Sequence, residues 1–204
     1  MFKVCATSLS VKKYGLTQNV NSSRVGSIQM TISILVIIAV MWLPVTLMNL
    51  GKGEAKGTGA VAGFVGVVVV LGAFIQATVF NDSFTAGLLF AHGILYCSVS
   101  YALLTGLEDM RAIGNTSLAV AIISSIYMIL FYTGVNDAAG NVLIAKSNFL
   151  AAVCLGYVVL TLEVWGAFYG KLSGGIVAYS IMLWVVAGLW VPAFCSMSNG
   201  TLPF

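Results

Sequence analysis

The sequence predicts an all-α membrane protein of six spanning helices arranged as three helical hairpins, and three observations carry that expectation. The chain is 60% hydrophobic and only 7% charged, far from the roughly one-quarter charged composition of a soluble domain. Six apolar runs each approach the ~20 residues that cross about 30 Å of hydrocarbon. Short turns bearing glycine and charge separate alternate runs, at Gly51 to Gly57, Gly106 to Gly114 and Gly170 to Gly175.

Residues 1–29 are polar, with Lys3, Lys12, Lys13 and Arg24 among serines and asparagines. They lack the apolar core of a secretory signal and read as an N-terminal extension. The first span runs from about Met30 to Leu50 and contains Pro44, which a spanning helix tolerates because neighbours satisfy the freed carbonyl. After the turn GKGEAKG, the second span, about Thr58 to Phe80, opens with Gly59, Gly63 and Gly66. Small residues at that spacing let two helices approach closely.

Asn81 to Ser83 turn the chain into the third span, Phe84 to Thr105, which carries the only histidine, His92. The charged knot Glu108, Asp109 and Arg111 ends it, and a fourth span follows from about Asn115 to Thr133. A polar loop, 134–147, leads to the fifth span at about Asn148 to Tyr169. Lys171 marks the next tight turn, and the sixth span covers about Ile176 to Met197, leaving 198–204 as a short C-terminal tail. The six-span domain is thus expected over 30–197.

Basic residues close to span ends set orientation. The turns within hairpins carry Lys52, Lys56, Arg111 and Lys171, whereas the opposite side carries Arg24 and Lys146. The expected topology is therefore a multi-pass protein of the inner (plasma) membrane with both termini outside.

Composition excludes several classes. A net charge of +3 from nine basic residues forms no stripe of the kind that neutralises nucleic-acid phosphates. Cys5, Cys97, Cys154 and Cys195 show no CxxC spacing, and one histidine does not make a zinc set. No phosphate loop or hydrolase motif occurs. No enzyme activity, metal or cofactor is expected.

GLLFAHGILY at Gly87 to Tyr96, followed by GLEDMRAIGNTSLAVAI from Gly106, resembles the third-to-fourth-span signature of the AmiS/UreI family of urea and short-chain amide channels. LGKGEAKGTGAVAGFVGVVVV from Leu50 resembles the family's first cytoplasmic turn and second span, and WVPA at Trp190 to Ala193 resembles its last span. The similarity covers about Met30 to Met197, which leaves residues 1–29 as an extension or a misplaced start.

The resemblance implies a passive channel with a narrow apolar slit in each protomer and protomers in a homo-oligomeric ring, typically a hexamer. Its solutes are urea, short-chain amides and ammonia, and membrane lipid is its surrounding partner. It also implies pore-lining positions at Thr31, Leu35, Ile38 and Trp42 in the first span, Phe90 and Ile94 in the third, and Tyr157 and Thr161 in the fifth. The first set also falls on one helix face, a periodicity that packing residues share. Where relatives place an aromatic pair in the third span and a tryptophan pair in the fifth, this chain has Phe90 with Ile94 and Tyr157 with Thr161. Tyr96, Tyr157, Thr161 and the Trp42 indole offer hydrogen-bond partners on apolar helices, and Trp165, Tyr169 and Trp190 read as interfacial anchors.

Two ionisable residues, His92 and Glu163, lie inside spans, where a charge is costly and needs a reason. At 1.5 Å per residue they sit at different depths and are not a direct pair. Glu163 is expected near the cytoplasmic end, within reach of Lys171 or Arg111, in a vestibule or protomer contact. For His92 a pore role stands beside a structural one, a neutral ring bonded to a helix carbonyl. Acid-gated relatives carry histidines in the outer loop, and here that loop is Asn81 to Ser83, so acid gating is not expected. An accessory subunit that docks a partner through residues 1–29 is the competing reading. An ion-coupled transporter, hinted at only by Pro44 and Glu163, is the third.

Overall fold

Glycine and serine, more than large side chains, decide how the helices pair in the computed structural model. It describes the backbone of residues 3–140 and 142–199, and the side chains of 26–140, 142–195 and 197–198. The elements are α1 (Lys3–Asn49), α2 (Ala55–Thr78), α3 (Ser83–Thr105), α4 (Arg111–Thr133), β1 (Val135–Asn136), β2 (Val142–Ile144), α5 (Asn148–Phe168), α6 (Gly174–Trp184) and α7 (Val191–Asn199). A π-helical stretch, Val185–Trp190, joins α6 to α7.

Among the described residues, six segments are long and apolar enough to cross a membrane: Gly26–Asn49, Ala55–Thr78, Ser83–Thr105, Arg111–Thr133, Asn148–Phe168 and Gly174–Cys195. Their order is the expected one, but three local features differ. The helix that carries the first segment is continuous from Lys3, well upstream of the expected start at Met30, and Gly26 and Ser27 pack on the α2–α3 turn through Phe80 and Asp82. The loop 134–147 holds a small antiparallel ribbon pairing Val135 with Ile144. The last span is interrupted by the π-helical stretch. Most side chains of the expected extension over 1–29, and much of the tail from 198, lie outside the described residues.

The most extensive pairings are α2 with α3 and α4 with α5, while α1 packs on α2 and α6. The reason for the first lies in the glycine face of α2. A Cβ on Gly66 would meet the Cys97 backbone nitrogen at 2.9 Å, and one on Gly59 would meet Leu103 Cβ at 2.9 Å. Close approach brings Ser100 Oγ within 2.7 Å of the Gly59 carbonyl, to which it donates. Between α4 and α5, Ser117 Oγ donates to the Thr161 carbonyl at 2.8 Å. Interhelical bonds of this kind contribute about 0.6 kcal/mol each in a membrane setting.

Polar turn residues cap the helices they precede. Glu54 accepts from the Lys56 and Gly57 amides at the start of α2, Asp82 from the Thr85 amide at α3, and Ser147 from the Leu150 amide at α5. Each cap satisfies otherwise orphaned amides and stabilises by about 1 kcal/mol. Gly106 ends α3 in the left-handed conformation at φ +67°, which glycine adopts at no steric cost.

Candidate functional site

Four helices wall one cavity. Trp42 and Val45 of α1, His92 and Tyr96 of α3, Tyr157 and Thr161 of α5, and Val177 and Ile181 of α6 face a space of about 130 Å³. It extends to Asn49, Leu103 and Phe168 at the helix ends that precede the three glycine-bearing turns. Among the described residues, no Asp, Glu, Lys or Arg lies in its wall. The third-span contributors His92, Leu95, Tyr96 and Val99 are spaced i, i+3, i+4 and i+7, one face of a helix.

Aromatic rings shape the inner end. Trp42 meets Tyr157 edge-on, with ring centroids 5.8 Å apart and planes at 86°. The His92 ring stands 4.8 Å from the Tyr157 ring and 6.1 Å from that of Tyr96. Beyond this group Trp184 lies against Gly156 and Gly188, two positions whose missing side chains make room for its indole. The recess among Trp42, Tyr157, Trp184 and Gly188 has no room for water. Toward the α2–α3 turn, Ile34, Ile38, Val153 and Leu189 close into the buried core. The cavity is therefore a vestibule open toward the glycine turns and shut at Trp42 and Tyr157.

Polar groups in the wall are few, and three of them already have backbone partners. Thr161 Oγ1 donates to the Tyr157 carbonyl at 2.7 Å, and Asn49 Nδ2 donates to the Val45 carbonyl at 3.0 Å. His92 Nδ1 lies 3.0 Å from the Leu88 carbonyl. A carbonyl only accepts, so Nδ1 carries the hydrogen and Nε2 is the lone-pair nitrogen of the neutral ring. Nε2 has no partner among the described residues. The Tyr96 hydroxyl is approached by Trp42 without a well-formed hydrogen bond.

The expected pore residues divide into three groups. Trp42, Tyr96, Tyr157 and Thr161 meet at the cavity together with His92. Thr31, Leu35 and Ile38 lie on the same α1 face nearer the closed end. Ile38 is core, Leu35 packs against the core, and Thr31 Oγ1 donates to the Ser27 carbonyl at 3.0 Å. Phe90 and Ile94 are not brought to the cavity. Phe90 packs edge-on to Phe74 at 4.9 Å, and Ile94 is 55% exposed on the outer surface. At 100° per residue, Ile94 points away from Tyr96, two positions on, and the cavity face of α3 is that of His92 and Tyr96.

Glu163 also differs from expectation. It does not line the cavity, and its partner is Ser180, whose Oγ donates to Oε1 at 2.9 Å across the α5–α6 contact. Its Oε2 has no partner among the described residues. Lys171 stands over the Trp165 ring at 5.1 Å. Arg111 pairs with Asp109 at 2.7 Å, and that hydrogen bond holds the Asp109 carboxyl down to about 2.

Sequence reasoning passed over a polar clamp at the closed end. Gln76 is fully buried, and its Nε2 donates to Ser27 Oγ at 2.7 Å and to Asp82 Oδ2 at 3.0 Å. Ser27 Oγ also donates to Asp82 Oδ2, at 2.7 Å. Burial raises the Asp82 carboxyl, but the bonds from Thr85, Ser27 and Gln76 outweigh it and hold the group below its usual value. Asp82 is thus a half-buried tie between α1, α2 and α3. The available signal was a lone amide in an otherwise apolar span, six residues before an aspartate.

The backbone is similar to two solved structures of the urea channel from Helicobacter pylori. The crystal structure matches with a TM-score of 0.71 at 18% identity, covering 84% of this chain and 99% of that one. The cryo-electron-microscopy structure of the closed state matches with a TM-score of 0.66 at 18% identity, covering 84% and 100%. No protein-family model matches the sequence, and no curated protein matches it. The shared six-helix fold is what these likenesses establish.

Proposed function

We propose that the chain is a passive membrane channel for urea and short-chain amides, with one pathway through each protomer. The observation that carries this reading is the vestibule: a narrow space among α1, α3, α5 and α6 with aromatic and aliphatic walls and no carboxylate, lysine or arginine. An ion entering such walls loses hydration worth several kcal/mol. A neutral amide loses roughly 2–7 kcal/mol and recovers part of it through a few hydroxyls or carbonyls. The six-helix fold shared with a urea channel supports the same solute class. Thr31, Leu35 and Ile38 continue the pathway toward the α2–α3 turn once Trp42 and Tyr157 separate.

The reading includes a homo-oligomeric ring, a location in the inner membrane, termini outside, and glycine turns facing the cytoplasm. The vestibule then opens to the side of a cytoplasmic enzyme that would consume the solute. A second reading is favoured by the closed outer half: an accessory subunit that conducts nothing and docks a partner through its polar N-terminal extension. Stopped-flow swelling of proteoliposomes with urea, acetamide and formamide separates the two. Rates well above those of empty liposomes are expected, and rates equal to them would leave the accessory role.

A further inference from the structure

His92 and Tyr96 share a property that packing does not explain. Both side chains are almost fully buried, at 4% and 5% exposure, both face the vestibule, and both hold a polar atom without a well-formed partner among the described residues. Burying such an atom unpaired costs about 1–3 kcal/mol, and two of them one helical turn apart are rare in a native interior. Native structures retain that cost where something else completes the bonds.

The polarity of the pair is fixed by the backbone. Because Nδ1 donates to the Leu88 carbonyl, the neutral His92 ring offers only an acceptor, at Nε2. The Tyr96 hydroxyl, four residues on and on the same helix face, can donate or accept. The nearby wall also carries the Trp42 indole N–H and the Tyr157 hydroxyl on otherwise apolar surface, and Thr161 has already given its hydrogen to the Tyr157 carbonyl. A solute at this point meets an obligatory acceptor beside an amphoteric hydroxyl, backed by the flat Tyr157 ring 4.8 Å from the imidazole.

We infer that His92 Nε2 and the Tyr96 hydroxyl form a selectivity site that accepts an N–H from a small neutral solute and returns a hydrogen bond to its carbonyl. The inference rests on the channel reading and adds the residues that choose among solutes. Urea and primary amides carry an N–H donor and a carbonyl acceptor within one plane, and so answer both groups. An ester of similar size has no hydrogen to give Nε2 and leaves it unpaired. A cation is not stabilised by a lone acceptor in an apolar wall.

The chain contains a single histidine, so nitrogen-15 labelling of histidine reports on this ring alone. In the purified protein, urea or acetamide is expected to shift the Nε2 resonance saturably while Nδ1 stays in place, and methyl acetate is expected to move neither. In proteoliposomes, His92→Phe should lower urea flux relative to water flux by roughly three- to tenfold, the effect of one lost hydrogen bond. His92→Gln, which restores an acceptor, should recover part of it, and Tyr96→Phe should reduce acetamide and urea together. An Nε2 resonance indifferent to urea, in a protein whose liposomes conduct urea, overturns the inference and returns His92 to a structural role. Unmutated protein that passes no urea overturns the channel reading beneath it, so the two failures are distinct.

Discussion

Asp82 shows how one side chain can serve both a cap and a tertiary tie. Its Oδ1 accepts the Thr85 amide, while Oδ2 collects Ser27 and Gln76, so the carboxylate joins three helices at the closed end. Because it titrates below its unfolded value, its stabilisation is present above the unfolded aspartate pKa of about 3.9 and is lost as pH falls through the lower folded value. Asp82→Ala should cost about 1–2 kcal/mol through the cap alone, read as a lower unfolding temperature in detergent at pH 7. Asp82→Asn should keep much of the cap and flatten the acid limb below about pH 4. An acid limb of unchanged depth in Asp82→Asn would mean that another carboxylate governs it. Glu163 gives the opposite lesson. Its bond to Ser180 survives replacement by an amide, and it stands off the cavity wall. Glu163→Gln should therefore fold and keep its urea flux, and a several-fold loss of flux would place the carboxylate on the pathway after all.

Among the elements, α2 was the more readable from sequence and α3 the less. The spacing of Gly59, Gly63 and Gly66 announces a close helix contact, and the structure fills it with Ser100, Cys97 and Gly93 of α3. Gly66→Ala should destabilise by about 1–3 kcal/mol, because its Cβ would press on the Cys97 and Gly93 backbone, which cannot swing aside. Gly63→Ala would meet chiefly the Ser100 hydroxyl and should cost less. Unfolding in denaturing detergent measures both, and equal losses would show that α3 yields as readily at either point. Span order and turns are legible because each follows from local apolar length and turn chemistry. The face that α3 turns inward was not. An almost wholly apolar helix carries no amphipathic contrast to orient it, so Phe90 with Ile94 and His92 with Tyr96 are equally plausible stripes on sequence alone. The π-helical stretch escaped for a related reason: VVAGLW reads as ordinary helix, and only the Trp184 indole lying against Gly156 and Gly188 marks the site.

At the scale of the molecule, the bonded carboxylate at each end of the bundle holds its charge in mild acid. The closed end holds Asp82 in its turn, already below the ordinary carboxylate range, and the turn between α2 and α3 has no histidine. At the glycine-turn end the exposed Asp109–Arg111 pair keeps its carboxyl near 2. Neither changes charge in mild acid. Within the bundle the single histidine uses Nδ1 on the Leu88 carbonyl, and a proton added at Nε2 would find no carboxylate in the wall and no partner at hydrogen-bond distance among the described residues. The vestibule is shut by the contact of Trp42 with Tyr157, an apolar closure that carries no titratable switch of its own in that range. Urea or acetamide permeability of proteoliposomes should therefore vary by less than about twofold between pH 5 and 7.5, where an unperturbed histidine near 6.5 would otherwise act. Trp42→Ala should raise flux by the same factor at both pH values, since it opens the closure without touching any charge. A several-fold rise at pH 5 that His92→Ala abolished would instead make the histidine an acid gate.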